Sequence, residues 1–227
     1  MNRNKTGKSE NMATFYKDCL RFGCLGEFKH FGLYLRGREE LLVTVRHNAS
    51  LDMCPTPKIT RSATFGERSE HVPPASPATR EMQQIDPKET VFLIGAYARY
   101  NWPYVWLRSN LGKYGTNSAD KDLPLDLNTT SKWETHGYRV WDIVAELLHM
   151  NILPNPENPF EVDLASFDKM DPMERTLQAG AMAFFLRDLL LQNSRLVSYH
   201  KLVQEDILAL LQIHFRTLST LTPNVPQ

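Results

Sequence analysis

The C-terminal quarter of the chain carries the strongest folding signal, a helix start followed by two long apolar-rich segments. Asp171, Pro172 and Glu174 occupy the N-cap, first and third positions of a helix, where these residue types stabilise a helix N-terminus. The apolar spacing predicts one helix over 172–193 and a second over 198–218. Because both are apolar over more than half of their circumference, we expect a helical hairpin that is buried in a bundle or covers a sheet, or that also supplies a dimer interface.

Short apolar runs predict a small sheet nearer the N-terminus. Residues 28–35 and 41–45 partly alternate or are β-branched, and the glycine-containing stretch 36–40 between them suits a turn, so a β-hairpin is predicted. Residues 91–94 form a short apolar run typical of a buried strand, and 136–150 have helical spacing. The fold class that follows is α+β, with a small antiparallel sheet packed against a mainly helical C-terminal half.

Composition divides the chain into four segments. Residues 1–11 are polar and basic and are predicted to be a mobile arm, and 12–53 are predicted to hold an N-terminal helix and the β-hairpin. Residues 54–88 contain six prolines, many Ser and Thr and few large apolar side chains, which predicts a flexible loop. The last segment, 89–227, is predicted to be the remainder of the globular domain, with the C-terminal helical hairpin.

The charge of the chain is balanced as a whole and uneven along its length. The 26 basic and 26 acidic residues give a net charge of zero, which excludes a uniformly cationic coat for nucleic acid. Residues 1–50 carry nine Lys and Arg against five Asp and Glu, whereas 117–170 carry four against ten. The basic arm, with Arg3, Lys5 and Lys8, suits attraction to anionic lipid or nucleic acid, or is a solvated terminus that binds nothing.

A stretch of interleaved aromatic and basic residues is the best candidate for a binding surface. Seven of the 23 aromatic residues lie between Phe92 and Tyr114. Aromatic rings beside guanidinium groups stack unpaired bases, anchor protein partners or lie at a membrane interface. The alternative is a small second core in which Trp102 and Trp106 pack on the preceding strand. The candidate surface residues are Tyr97, Arg99, Tyr100, Trp102, Tyr104, Trp106, Arg108 and Lys113.

The motifs of common enzyme and metal classes are missing from the sequence. It contains no glycine-rich phosphate loop, no nucleophile elbow and no zinc-binding helix motif, and its three cysteines are irregularly spaced. We therefore predict no enzymatic activity, no metal site, no cofactor and no small-molecule substrate. There is no signal peptide at the N-terminus and no apolar run long enough to span a membrane, so an intracellular location is predicted, cytoplasmic or peripheral to the inner membrane face and not secreted.

Two local runs resemble the matrix proteins of rhabdoviruses. The run Val43-Thr44-Val45-Arg46-His47-Asn48 resembles a strand end of that family, and Ile94-Gly95, Pro103-Tyr104 and Leu111-Gly112 follow in the order of a similar run. The resemblance covers about 25 of the 227 residues. It implies coating of a nucleocapsid, binding to the inner membrane leaflet through basic and aromatic residues, and self-association, and it assigns no site residue.

These features together predict a protein that acts by binding other macromolecules. The expected function is that of a non-enzymatic protein-interaction or assembly protein of the viral matrix or accessory kind, which binds protein partners, associates with itself and contacts a membrane peripherally. The alternative is an RNA-binding protein, of the nucleoprotein or silencing-suppressor type, that stacks bases on the aromatic and basic surface at 97–114. An enzyme would instead need titratable groups that converge in a concave pocket.

Overall fold

The computed structural model describes residues 3–37, 39–47, 86, 88–96, 102–109, 123–192 and 198–221. In chain order they form α1 (Arg3–Gly23), β1 (Phe31–Arg36), β2 (Glu40–Arg46), β3 (Glu89–Gly95), β4 (Tyr104–Leu107), α2 (Asn128–Ser131), α3 (Trp133–His136), α4 (Val140–Asn151), a 3-10 helix (Leu164–Lys169), α5 (Pro172–Gln192) and α6 (His200–Leu221). The predicted α+β class is confirmed, because an antiparallel sheet is combined with a mainly helical C-terminal half. None of the described helices is long and apolar enough to cross a membrane.

The four strands form one antiparallel sheet in the order β1-β2-β3-β4. Leu41 of β2 lies opposite Ile94 of β3, and Leu93 of β3 lies opposite Trp106 of β4. Gly37, between β1 and β2, has a φ of +72°, which glycine adopts without steric cost, so the turn expected between the first two strands is confirmed. Strand β4 was not predicted, because its sequence is short and rich in aromatic residues that fit several kinds of structure.

The described residues divide into two compact units, whereas the sequence predicted that residues 89–227 are the remainder of a single globular domain. One unit contains the described residues within 1–24 and 33–156. The other contains those within 25–32 and 157–227. The division follows a break after α4, where closely spaced prolines end the helix. Of the predicted loop at 54–88, only residues 86 and 88 lie within the described part of the chain.

In the first unit, α1 and α4 pack against β2. The predicted apolar stripe of α4 is confirmed, since Val140, Val144 and Leu147 are all fully buried. The fully buried carboxylate of Asp18 on α1 accepts hydrogen bonds from Nε of Arg139, at 2.6 Å, and from its Nη2. This bidentate contact joins α1 to the start of α4 and stabilises the charge of Asp18 away from water.

Helix α1 begins at Arg3, although the sequence predicted a mobile arm before a helix start at residue 12. Once the turns from Met12 onward are held in the core, each further residue extends a helix that has already formed, and extension costs much less than a new start. The backbone of Arg3, Lys5 and Lys8 therefore belongs to α1. The side chains of these three residues lie outside the described part of the structure, so the role of the basic arm remains a prediction.

In the second unit, α5 and α6 form the predicted helical hairpin, within a few residues of the expected ends. The carboxylate of Asp171 accepts hydrogen bonds from the backbone N–H groups of Met173, at 2.9 Å, and Glu174, at 3.2 Å, which confirms the predicted N-cap. Segment 25–32 belongs to the same unit. Phe28 forms a β-bridge with Val162 and its ring contacts that of Phe185 on α5.

Candidate functional site

The predicted aromatic and basic surface lies only partly within the described residues. Tyr97, Arg99, Tyr100 and Lys113 lie outside them, so their exposure stays a prediction. Tyr104 and Trp106 are 3% and 0% exposed and pack with Leu93 of β3 in one cluster. Trp102 is partly buried against the same cluster, with its ring centroid 6.3 Å from that of Tyr104.

An exposed stacking surface is therefore the wrong interpretation for Tyr104 and Trp106, and the alternative of a small second core is correct for them. All four residues of β4 are buried. On one side β4 pairs with β3, and on the other the N–H of Leu125 donates to the carbonyl of Val105 at 2.7 Å. Because successive side chains of a strand project to opposite faces and all four are buried, both faces of β4 are covered, and its large rings fill the interior, where their apolar area contributes most to stability. Arg108 follows β4 directly and is half-buried, and its backbone N–H donates a hydrogen bond to the backbone carbonyl of Val91.

An acidic pocket of about 280 Å³ lies in the second unit. The pocket is lined by Glu157, Asn158, Glu161, Leu202, Glu205 and Asp206. Nothing in the sequence indicated this pocket, because Glu157 lies within a proline-rich stretch, Glu161 follows that stretch, and the other two acidic residues lie on α6. Glu205 and Asp206 are consecutive on α6, and both line the pocket.

Two carboxylates of the pocket have defined partners. Glu161 accepts a hydrogen bond from Nζ of Lys29, and its second oxygen lies 3.2 Å from Nε2 of the buried His30. Asp206 accepts from the side-chain amide of Asn158 at 3.1 Å. Burial, together with the charges of Glu161 and Glu205, raises the pKa of Asp206 to about 6, although Lys29 and a backbone hydrogen bond from Val162 act in the opposite direction.

The acidic pocket is the place where an enzymatic function would lie. A carboxyl group with a pKa of about 6 can exchange a proton near neutral pH, which is the chemistry of general acid–base catalysis. Glu157 and Glu205 are exposed to solvent, where their charges are screened. Within the described part of the chain, no three His, Cys, Asp or Glu residues are placed to hold a metal ion. The absence of enzymatic activity stays a prediction.

The most extensive unusual surface in the described structure is apolar and lies on the hairpin. On α5, the exposed apolar residues Met173, Leu177 and Phe184 recur at helical spacing, opposite the buried Ala179 and Met182. The exposed fractions are 58% for Met173, 66% for Leu177 and 51% for Phe184. A helix that packed only into a core would bury such residues, so α5 presents a second apolar face to solvent.

Helix α6 carries a similar row on the same side of the hairpin. Leu208, Phe215 and Leu218 are 61%, 61% and 38% exposed. Nδ1–H of His214 donates to the carbonyl of Thr176 at 2.8 Å and so marks the seam between the two antiparallel helices. The helical repeat places both exposed rows on the same side of this seam, the side that faces away from the core. We call Met173, Leu177, Phe184, Leu208, Phe215 and Leu218 together the hairpin face.

The hairpin face differs from the simplest sequence-based expectation, which was burial of both helices. Both helices are apolar over more than half of their circumference, as their periodicity predicts, but within the described structure only one side of each helix is covered. The sequence does contain a signal for the uncovered side. No Asp, Glu, Lys or Arg occurs between Arg175 and Arg187 on α5, or between Asp206 and Arg216 on α6. Helices with one solvated side usually carry charges there.

A family model matches residues 76–216, and it describes a domain of unknown function, DUF7886. The chain belongs to this family. The DUF7886 match spans β3, β4, α2 to α5 and most of α6, so it includes five of the six residues of the hairpin face. It also includes the acidic pocket. No curated protein and no solved structure matches the chain.

Proposed function

We propose that this protein is a non-enzymatic interaction and assembly protein that binds protein partners through the hairpin face. The observation that carries the proposal is the exposure of six large apolar side chains on one side of α5 and α6. From their exposed fractions, the apolar area is roughly 600 Å², at the upper end of the largest patch on a typical monomer. Apolar patches of that size are typical of protein-binding surfaces.

The character of the hairpin face supports a protein partner over a nucleic acid. RNA binding needs cations for the phosphates and exposed rings for the bases, whereas the central turns of α5 and α6 carry no Lys or Arg. Arg187 lies at the edge of the face, with its guanidinium carbon 4.8 Å from the ring centre of Phe184. An apolar centre with charged groups at the rim is the usual composition of a protein–protein interface.

The finer parts of the proposal come from the sequence. We propose an intracellular location, in the cytoplasm or against the inner membrane face. The resemblance to rhabdovirus matrix proteins would make this an assembly protein of a virion. The resembling residues Arg46, Gly95 and Tyr104 lie on three neighbouring strands, with Gly95 directly opposite Tyr104. The RNA-binding alternative keeps Tyr97, Arg99, Tyr100 and Lys113 as its untested residues.

The proposal is tested by cross-linking the full-length protein in cells of its native source. We compare the wild type with the double variant Leu177→Glu/Phe215→Glu and quantify cross-linked protein, lipid and RNA. We expect the double variant to lose roughly 90% or more of its cross-linked protein, because charges placed at the centre of an apolar interface are desolvated without a partner. Co-purified lipid and RNA are expected to be unchanged.

Tyr34→Glu is the matched control for this experiment. Tyr34 is 65% exposed on β1 and belongs to the first unit, so the substitution also introduces a charge at an exposed, largely apolar side chain that is not part of the hairpin face. This variant is expected to cross-link as much protein as the wild type. Equal protein cross-linking by the wild type and the double variant would contradict the proposal. Loss of RNA rather than protein, with steep dependence on salt, would favour the RNA-binding alternative.

A further inference from the structure

The charge of the hairpin face limits which proteins can cover it. The central stretches of both helices, 176–186 on α5 and 207–215 on α6, contain no Asp, Glu, Lys or Arg. A strongly basic or acidic partner would lose hydration at this face without gaining an ion pair. A second copy of the same face brings no like charges into contact, which is the condition that a self-complementary interface has to meet.

The area of the hairpin face also suits a second copy. Two faces of roughly 600 Å² each would bury about 1,200 Å² when both are fully covered, which reaches the lower limit of the range of specific, stable interfaces. Two helical hairpins packed face to face form a four-helix arrangement, a common way of covering amphipathic helices. Ala181 lies within the face, between Leu177 and Phe184, and its small side chain allows helices to approach closely.

Segment 54–88 of the chain is a less suitable occupant. Its sequence is dominated by Pro, Ser, Thr and charged residues. It has too few large apolar side chains to fill a surface on which six are exposed. The second copy supplies six matching side chains at once, which favours self-association.

We infer that the hairpin face binds the same face of a second copy, giving a two-fold dimer whose interface is formed by α5 and α6 of both chains. This inference rests on the proposed function and specifies the partner. The central contacts are made by Leu177 and Phe215. Leu177 is the most exposed residue of the row on α5, and on α6 no residue of the row is more exposed than Phe215. Arg187 lies at the rim, where it remains hydrated.

The inference is tested by sedimentation equilibrium of the purified full-length protein over a wide range of concentration. The wild type is expected to behave as a dimer that dissociates on dilution. Phe215→Glu and, separately, Leu177→Glu are expected to weaken the dimer roughly 30-fold or more, as substitutions at the centre of an interface do. Two variants on two helices keep the test valid if one of them fails to fold, which circular dichroism reports. Tyr34→Glu is expected to leave the dimer unchanged.

The possible outcomes separate this inference from the proposed function. A wild type that stays monomeric at every concentration overturns the inference, and so does a dimer that persists in both folded variants. If the protein is monomeric but still cross-links other proteins through Leu177 and Phe215 in cells, the inference fails and the proposed function stands. If neither a dimer nor face-dependent cross-linking is found, both fail. A dimer that the two variants abolish and Tyr34→Glu preserves supports the inference.

Discussion

Asp206 is a half-buried carboxyl group at the edge of the acidic pocket, and its surroundings disfavour its charge. Burial is the largest cause, and the carboxylates of Glu161 and Glu205 add to it, so the pKa rises from 3.8 to about 6. Between these two values, the folded protein binds more protons at this site than the unfolded chain does. The free energy of unfolding contributed by Asp206 therefore falls as the pH rises from about 4 to 6, and stays lowered above pH 6.

We predict that Asp206→Asn removes this pH dependence. Asparagine carries no charge at any of these pH values, so the variant gains stability relative to the wild type as the pH is raised from 4 to 7. The measurement is urea unfolding of both proteins at several pH values, compared by the slope of the free energy of unfolding against pH. Glu157→Gln is the control, because Glu157 lines the same pocket but lies exposed in solvent. If the free energy of unfolding varies with pH in parallel for Asp206→Asn and the wild type, the pKa of Asp206 is not raised.

At the scale of single residues, the sequence predicted what local geometry decides. The N-cap at Asp171 follows from its position before Pro172, and the structure has the expected hydrogen bonds. The pKa of Asp206 was not predictable, because its causes include Glu161, which is distant in sequence. The burial of Trp106 was left open for a similar reason, since it depends on packing against residues of another strand, such as Leu93 of β3.

At the scale of elements, Gly180 shows how the two helices of the hairpin fit together. Gly180, Ala181 and Ala183 are small residues of α5 of the kind that allows a second helix to approach closely. Gly180 meets α6 at the seam, since a Cβ added there would lie 3.0 Å from Nδ1 of His214. That ring is held by its hydrogen bond to the carbonyl of Thr176. Ala181, by contrast, is exposed.

We predict that Gly180→Ala fails to give the usual gain in helix stability. In a helix interior this change normally stabilises by about 1 kcal/mol, but here the methyl group displaces His214 and weakens a hydrogen bond of similar value. In a His214→Ala background the gain of about 1 kcal/mol should return, as measured by urea unfolding of the four proteins. Ala181→Gly is the control and should cost about 1 kcal/mol in either background. The full gain from Gly180→Ala with His214 present would show that the seam is looser than described.

Helices and strands were predictable when their own sequence carries a clear apolar periodicity or a cap. Helices α4 and α5 and strands β2 and β3 have strong periodicity or caps, and the structure has them close to the expected positions. The one-turn helices α2 and α3 were not predicted, because a single turn has little periodicity. The position of α2 depends partly on Glu146 of α4, whose carboxylate accepts hydrogen bonds from the N–H groups of Asn128 and Thr129.

At the scale of the whole molecule, the division into two units was beyond local reasoning. The sequence predicts residues 28–35 as the first strand of a β-hairpin, and nothing in residues 25–32 indicates a partner far along the chain. The structure assigns this segment to the C-terminal unit, where the Phe28 ring stacks on Phe31 with centroids 4.5 Å apart and meets Phe185 edge-on. The hairpin face was only partly predictable, because the charge-free central turns of α5 and α6 indicate a second apolar side, but periodicity does not report whether other parts of the chain cover it.

We predict that Phe28→Ala destabilises the C-terminal unit, although residue 28 belongs to the N-terminal quarter of the chain. Phe28 is 1% exposed, so truncation leaves a cavity and costs about 3–5 kcal/mol. In hydrogen exchange, amide protection should fall in α5 and α6 more than in β2, β3 and α4. Phe15→Ala is the matched control, because Phe15 is fully buried in the first unit and contacts Trp133 there. For Phe15→Ala, amide protection should fall more in β2, β3 and α4 than in α5 and α6. Equal losses in both units for both variants would contradict the division of the chain into two units.

The position of segment 25–32 also has a consequence for synthesis on the ribosome. Phe28 leaves the exit tunnel long before Phe185 does, and at typical elongation rates the interval is on the order of 8–30 seconds. During that interval the aromatic side chains of the segment have none of their C-terminal partners. Chaperones that recognise exposed aromatic residues therefore have their best opportunity to bind the nascent chain at this segment, before α5 emerges.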